Sequence, residues 1–297
     1  MKKAVKRHVL TLALLAAAAS AFAPPGQASE QAPRAAQRVI TLGGSVTEIV
    51  YALDQGSRLV GNDQSSIYPE AANKLPRVGY YRSVPIEGVA ALQPDLVIAS
   101  EQAGPPEAMR RLAQLGINVQ IVSDRPSVDS LNQRIDQIAQ ALGTPEAGQR
   151  LNASVNRELA QAQALPATAA RTLLVMNRTG APQGAGADTG AGLVLALSGL
   201  HNVLGDKKGY VPLSAEGLIN MAPEVIVITE ASLASSGGME KFRSTPGLAQ
   251  TPAATNQCIV VMDDLLALGS GPRLAQAIRS LKTAPCISGQ VRRASGG

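Results

Sequence analysis

The stretch Val78–Ser100, VGYYRSVPIEGVAALQPDLVIAS, recurs in altered form at Gly209–Thr229, GYVPLSAEGLINMAPEVIVIT. Gly79-Tyr80 matches Gly209-Tyr210, and Glu87-Gly88 matches Glu216-Gly217. Pro94-Asp95-Leu96-Val97-Ile98 matches Pro223-Glu224-Val225-Ile226-Val227, with one residue of insertion between the two patterns. A repeat of this kind means two similar units built on one supersecondary plan. Each copy reads as a loop, a short helix and a buried strand. If the units are α/β lobes, the two Gly-Tyr loops occupy equivalent places at the edges of a cleft between them.

At 297 residues the chain has room for two domains of ordinary size. Its formal net charge of +5 is concentrated at the start. Lys2, Lys3, Lys6 and Arg7 precede an apolar run from Leu10 to Phe22, the pattern of a secretory signal. That run is too short to span a membrane. Cleavage after Ala28 fits better than cleavage after Ala23, where Pro24 would follow the cut. No cysteine lies near the cleavage point, so a lipid-anchored N-terminus is not indicated. The product is expected to be a soluble exported protein. Beyond that segment 23 basic residues face 22 acidic ones, leaving +1 and no broad footprint for nucleic acid. In an oxidising compartment the two cysteines, Cys258 and Cys286, are expected to pair; the alternative is two buried thiols.

Along the chain, strands alternate with helices. Short apolar runs at Val39–Leu42, Leu59–Gly61, Leu96–Ala99 and Val119–Val122 are separated by helical patterns. Ser45, with Glu48 three residues on, has capping-box spacing for the first helix. This order predicts a mostly parallel sheet. Thr144–Ala164 reads as a helix of about 20 residues, long enough at ~1.5 Å per residue to cross from one lobe to another. A second set of strands begins at Thr172–Met176 and ends at Ile259–Met262. The expected fold is α/β: two Rossmann-like lobes, each with a mostly parallel sheet, joined by one long linker helix. The expected segments are 1–28 signal peptide, 29–143 first lobe, 144–165 linker and 166–297 second lobe.

Catalysis has little to work with. Beyond the signal the one histidine is His201, at a helix end that suits a cap or a surface position, and no pair of carboxylates stands out. One histidine and two late cysteines do not make a zinc or manganese site. The Gly-rich run Gly180–Gly192 departs from G-x-G-x-x-G, because Thr189 stands at the third position. What remains is tyrosine: Tyr51, Tyr68, Tyr80, Tyr81 and Tyr210. A phenolate is a hard anionic ligand that suits ferric iron, and tyrosine serves as an axial haem ligand. A neighbouring cation helps a phenol ionise, and Arg82 lies two residues from Tyr80, on the same side of an extended loop. The alternative is that Tyr80 packs at a loop and Arg82 is solvated.

The motifs VITLGGSVTEIVYALDQGSRLVGND from Val39, YPEAANKLPRVGYYR to Arg82, EGVAALQPDLVIASEQAGP to Pro105, GYVPLSAEGL to Leu218 and ALGSGPR to Arg273 carry a resemblance. The chain resembles the periplasmic haem-binding proteins of bacterial ABC haem importers (HmuT-like). These fall within the two-lobed binders that also carry siderophores and cobalamin. The resemblance implies ferric haem b as transported ligand, with Tyr80 on its iron. Arg82, Tyr81, Arg178, Arg273 and Tyr210 would line the cleft, and Glu48 and Glu216 would dock on the permease. Asn177-Arg178 stands where some relatives have a histidine, which favours a five-coordinate tyrosine site. The implied partners are an ABC haem permease and its ATPase at the inner membrane, reached by a periplasmic monomer. A ferric siderophore or cobalamin carrier of the same fold is the alternative ligand reading. An exported enzyme is the alternative of another class.

Overall fold

A computed structural model describes residues 36–178 and 180–289. The expected signal segment lies outside them. The first lobe runs β1 (Val39–Leu42), α1 (Gly44–Ala52), β2 (Leu59–Asn62), α2 (Ile86–Ala90), β3 (Leu96–Ser100), α3 (Pro106–Gln114), β4 (Asn118–Val122) and α4 (Val128–Ala141). The long helix α5 (Pro145–Gln163) follows. The second lobe opens with β5 (Arg171–Met176), β6 (Gln183–Ala185), α6 (Gly190–Leu197), β7 (His201–Asn202), β8 (Tyr210–Pro212), α7 (Ala215–Met221) and β9 (Val225–Thr229). It continues with α8 (Glu230–Ser235), α9 (Met239–Arg243), α10 (Pro252–Thr255), β10 (Ile259–Met262), α11 (Asp264–Leu268) and α12 (Leu274–Thr283).

In the first lobe β2-β1-β3-β4 form one parallel sheet, with Val39 opposite Leu96 and Leu96 opposite Asn118. β1 and β3 are buried along their whole length because helices cover both faces, which is why they read as unbroken apolar runs. The second sheet, β10-β9-β5-β6-β8 with β7 on β5, is mixed. Its β10, β9, β5 and β7 run parallel, whereas β6 and β8 add antiparallel pairs.

Side-chain alternation sorts the core into three clusters. Val39 and Ile98 of the first sheet and Leu174, Val225 and Val227 of the second enter one continuous apolar cluster. The intervening residues Ile40, Leu42, Val97 and Ala99 pack on the other face of the first sheet. Leu173, Val175, Ile226 and Ile228 do the same in the second. The shared cluster also takes Ile135 and Ile138 of α4, Val155 and Leu159 of α5, and Ile278 and Leu281 of α12. Each such buried aliphatic contributes about 1.5–3 kcal/mol relative to exposure. α5 therefore sits between α4 and α12, and Lys282 Nζ donates to the Gln163 and Leu165 carbonyls at its end.

The repeat is visible in fine detail. Gln93 and Ala222, each just before the proline of the motif, have positive φ (47° and 41°). Asp95 accepts from the Gln37 and Arg38 N–H groups, and Glu224 accepts from the Arg171 N–H. The Arg38 side chain returns to the Leu92 and Gln93 carbonyls, as Arg171 does to the Met221 carbonyl. A carboxylate and an arginine thus clamp the helix–strand corner in both lobes.

The capping box expected at Ser45 is not formed. α1 begins at Gly44 with Gly43 as its cap, and no side chain caps it. The Gly43 N–H donates instead to the Asp63 carboxylate. Cys258 and Cys286 are joined by a disulfide, tying the chain before β10 to the segment after α12.

Candidate functional site

The polar groups of interest follow the carboxyl ends of the parallel strands, where open α/β sheets place their ligands. Asp63 follows β2, Gln102 follows β3, Asp124 follows β4, Arg178 follows β5 and Asp263 follows β10.

The Tyr80 loop is pinned on both sides through its backbone. On one side Val78 N–H donates to the Asn62 carbonyl and Gln64 N–H to the Gly79 carbonyl. On the other, Gly104 N–H donates to the Tyr81 carbonyl and Val84 N–H to the Gly104 carbonyl. Gly79 turns the chain at φ 100°, a conformation that side chains other than glycine rarely adopt. The loop closes as a tight turn, Ser83 N–H to the Tyr80 carbonyl. A fixed backbone therefore presents a Tyr80 side chain that is 41% exposed. Its ring meets Tyr81 edge-on, centroids 5.0 Å apart, and the Arg82 guanidinium carbon lies 4.9 Å from the Tyr81 centroid.

Tyr81 itself is a poor source of phenolate. Burial pushes its phenol up to about 12, with Arg82 opposing and Tyr80 and Asp63 adding to the rise. Tyr210 sits in edge strand β8, paired with Ala185. Burial also raises its phenol; Arg178 and Arg82 oppose that rise, and Tyr80 adds to it. Groups from both lobes therefore act on one another: Tyr80 and Arg82 from the first, Tyr210 and Arg178 from the second. Arg178 is 52% exposed and anchored on one side by Asp264, at 3.1 Å.

Arg273 and Glu48 are placed differently from expectation. The Glu48 carboxylate is 4% exposed and accepts from the Arg273 N–H at 3.2 Å, Nε at 3.1 Å and Nη2 at 3.3 Å. Burial raises Glu48, and Arg273 offsets part of that rise. A Cβ at Gly271 would lie 3.1 Å from a Glu48 oxygen, so the 271–273 loop comes close only because that residue is glycine. The Arg273 guanidinium also lies 3.6 Å from Asp263 and 3.5 Å from the Tyr68 ring centroid. Glu48 thus joins the lobes through Arg273, with its carboxylate buried. Arg273 spends its fork on that joint and is not a free cation aimed at a ligand.

Sequence reasoning had the other docking candidate in hand and passed over it. Glu87 and Glu216 occupy the same second position of α2 and α7, and both are exposed. The repeat itself was the signal. An apolar hollow of ≈ 250 Å³ lined by Val175, Leu213, Phe242 and Leu248 also lies in the second lobe. It is smaller than the roughly 300–1,000 Å³ of pockets for drug-sized ligands. Among the described residues no group of three or more His, Cys, Asp or Glu is arranged to hold a metal ion.

The family pattern described as "Periplasmic binding protein" matches residues 39–266. The chain belongs to that family. Among solved structures it is similar to the periplasmic heme-binding protein RhuT from Roseiflexus sp. RS-1 in apo form. That match has 38% identity and a TM-score of 0.79, covering 82% of this chain and 96% of that one. It is similar as well to the periplasmic heme-binding protein BhuT in complex with two hemes, at 37% identity and a TM-score of 0.77, with 82% and 96% covered. The Vitamin B12-binding protein of Yersinia pestis (strain Pestoides F) is 32% identical over 202 residues, 66% of this chain and 70% of that one. The protein is thus an extracytoplasmic binding protein of the haem, siderophore and cobalamin group, not an enzyme. Membership implies a small-molecule ligand and an ABC permease with its ATPase as partners.

Proposed function

We propose that this periplasmic protein captures ferric haem b in the cleft between its lobes and delivers it to an inner-membrane ABC haem permease. The observation that carries the reading is the exposed Tyr80 phenol on a rigid loop, with Arg82 two residues on and Tyr210 and Arg178 across the gap. Tyr80 supplies the axial oxygen, a hard anionic donor suited to ferric iron. Arg82, two residues on and packed over the Tyr81 ring, places a cation on the same loop. Arg178, half free of Asp264, is the cation available to a carboxylate of the ligand. A signal peptide over residues 1–28 is cleaved on export, and the mature protein acts as a monomer. Glu87 and Glu216, one at the matching corner of each lobe, face the permease.

Cobalamin is the second reading, favoured by the 32% identity to vitamin B12-binding proteins. A phenolate carrier and a cobalamin carrier respond differently to a ligand panel. Titrating the mature protein with ferric haem, cyanocobalamin and a ferric siderophore decides between them. Saturable haem binding with a phenolate charge-transfer band is the expected result. Saturation by cobalamin without response to haem would overturn the haem reading and leave the two-lobed carrier standing.

A further inference from the structure

The segment Glu101–Pro105, which follows β3, forms the shelf under the Tyr80 loop, and one side chain on it has a job that neither the repeat nor the tyrosine motif assigns. Gln102 Nε2 donates to the main-chain carbonyl of Asp124 at 2.8 Å. A carbonyl only accepts, so this bond fixes which end of the amide points where. The amide oxygen is left facing Arg82, and the Arg82 guanidinium donates to it. The Arg82 guanidinium also packs over the Tyr81 ring.

The base of this support is a hydrogen-bonded network. Asp124 N–H donates to Glu101 at 2.7 Å, and the Asp124 carboxylate accepts from Ser100 Oγ at 2.6 Å. The same Ser100 Oγ accepts from the Gln102 N–H at 3.0 Å. The second Asp124 oxygen pairs with Arg134, whose side chain is 0% exposed. Arg134 in turn donates to Ser45 Oγ at 3.0 Å and to the Ser270 carbonyl, in the second lobe, at 2.9 Å. Through these bonds Gln102 rests on a buried ion pair at the junction of the lobes. An exposed arginine side chain loses rotamer freedom when it is held, and a held cation orders a neighbouring phenolate better than a mobile one.

We propose that Gln102 is a positioning residue: it holds the Arg82 guanidinium over the Tyr81 ring, at the base of the Tyr80 side chain. This rests on Tyr80 and Arg82 forming the haem site. Gln102 does not touch the ligand; its effect passes through Arg82.

The test uses Gln102→Leu, which keeps the bulk and removes both hydrogen bonds. It is made alone and in an Arg82→Ala background in the mature protein. Two signals are read. One is the Nε–Hε resonance of Arg82 in the ligand-free protein. The other is the haem dissociation rate. Loss of an outer partner weakens a metal site by about tenfold at the low end of its range, and a rise of that size in dissociation rate is expected. The Arg82 resonance is expected to move to the position of a free guanidinium. In the Arg82→Ala background Gln102→Leu is expected to add nothing. An unmoved Arg82 resonance overturns the proposal, as does an equal effect of Gln102→Leu in both backgrounds. If the wild-type protein binds no haem, the proposed function falls, and the Arg82 resonance alone decides whether Gln102 positions that side chain.

Discussion

The two copies of the repeat share their scaffold and part company at their tyrosines. In both lobes a residue of positive φ lies between the helix and a proline, and a carboxylate–arginine clamp starts the next strand. Tyr80 then stands 41% exposed on a turn pinned from both sides, whereas its counterpart Tyr210 is built into β8 against Ala185. The helix–strand corner is dictated by the core, so both copies keep it. The loop in front of it anchors to the core at Val78, Val84 and Tyr81 in the first lobe and leaves Tyr80 exposed, while in the second it extends a sheet. The acids differ in the same way. Glu87 and Glu216 repeat each other and are exposed, while Glu48 has no such counterpart and is buried against Arg273.

Breaking what joins the lobes and opening the disulfide of the second lobe have the largest expected effects, of similar size. Arg273→Ala leaves Glu48 buried without its partner and is expected to cost about 3 kcal/mol of stability, read from urea unfolding. A loss below about 1 kcal/mol would mean that the joint rests on apolar contacts alone. The disulfide is the feature that only the second lobe has. Reducing the Cys258–Cys286 bond, which closes 28 residues, is expected to lower stability by about 3–4 kcal/mol on the loop-entropy scale. Two titratable thiols in unfolded, unreduced protein would rule the bond out. The paired acids sharpen the comparison at the surface. Glu87→Arg with Glu216→Arg is expected to abolish haem uptake by cells while haem binding to the purified protein stays as in wild type. Unimpaired uptake would reject the docking assignment.

Much of this was legible in the sequence, and the limits have physical causes. The buried parallel strands β1, β3, β5 and β9 and the helices α4 and α5 were all visible as apolar runs or stripes, because burial on a fixed period marks the residues themselves. β6 and β8 were missed, since three-residue strands carry no readable period, β6 lies in a Gly-rich run, and both exist through their pairing with each other and, for β6, with β5. The Ser45–Glu48 spacing misled because the helix starts one residue before Ser45, behind Gly43 held by the Asp63 carboxylate, and a distant arginine took Glu48. Arg134 was hidden for a similar reason. It lies beside the apolar stripe of Leu131 and Ile135, and nothing local shows that Asp124 and the Ser270 carbonyl wait to receive it. The tyrosine loop was legible as chemistry, but its rigidity, set by Asn62, Gln64 and Gly104, was not.

The most direct measurement is the ferric-haem absorbance titration of Tyr80→Phe beside Tyr210→Phe. The account predicts that Tyr80→Phe loses the phenolate charge-transfer band and weakens binding beyond the ~10–100-fold typical of an outer partner. Tyr210→Phe keeps the band. Tyr81, held neutral by a pKa of about 12, does not restore it to the Tyr80 variant in mildly alkaline buffer. A band that survives in Tyr80→Phe, or disappears in Tyr210→Phe, would contradict the assignment of the ligand to the first lobe.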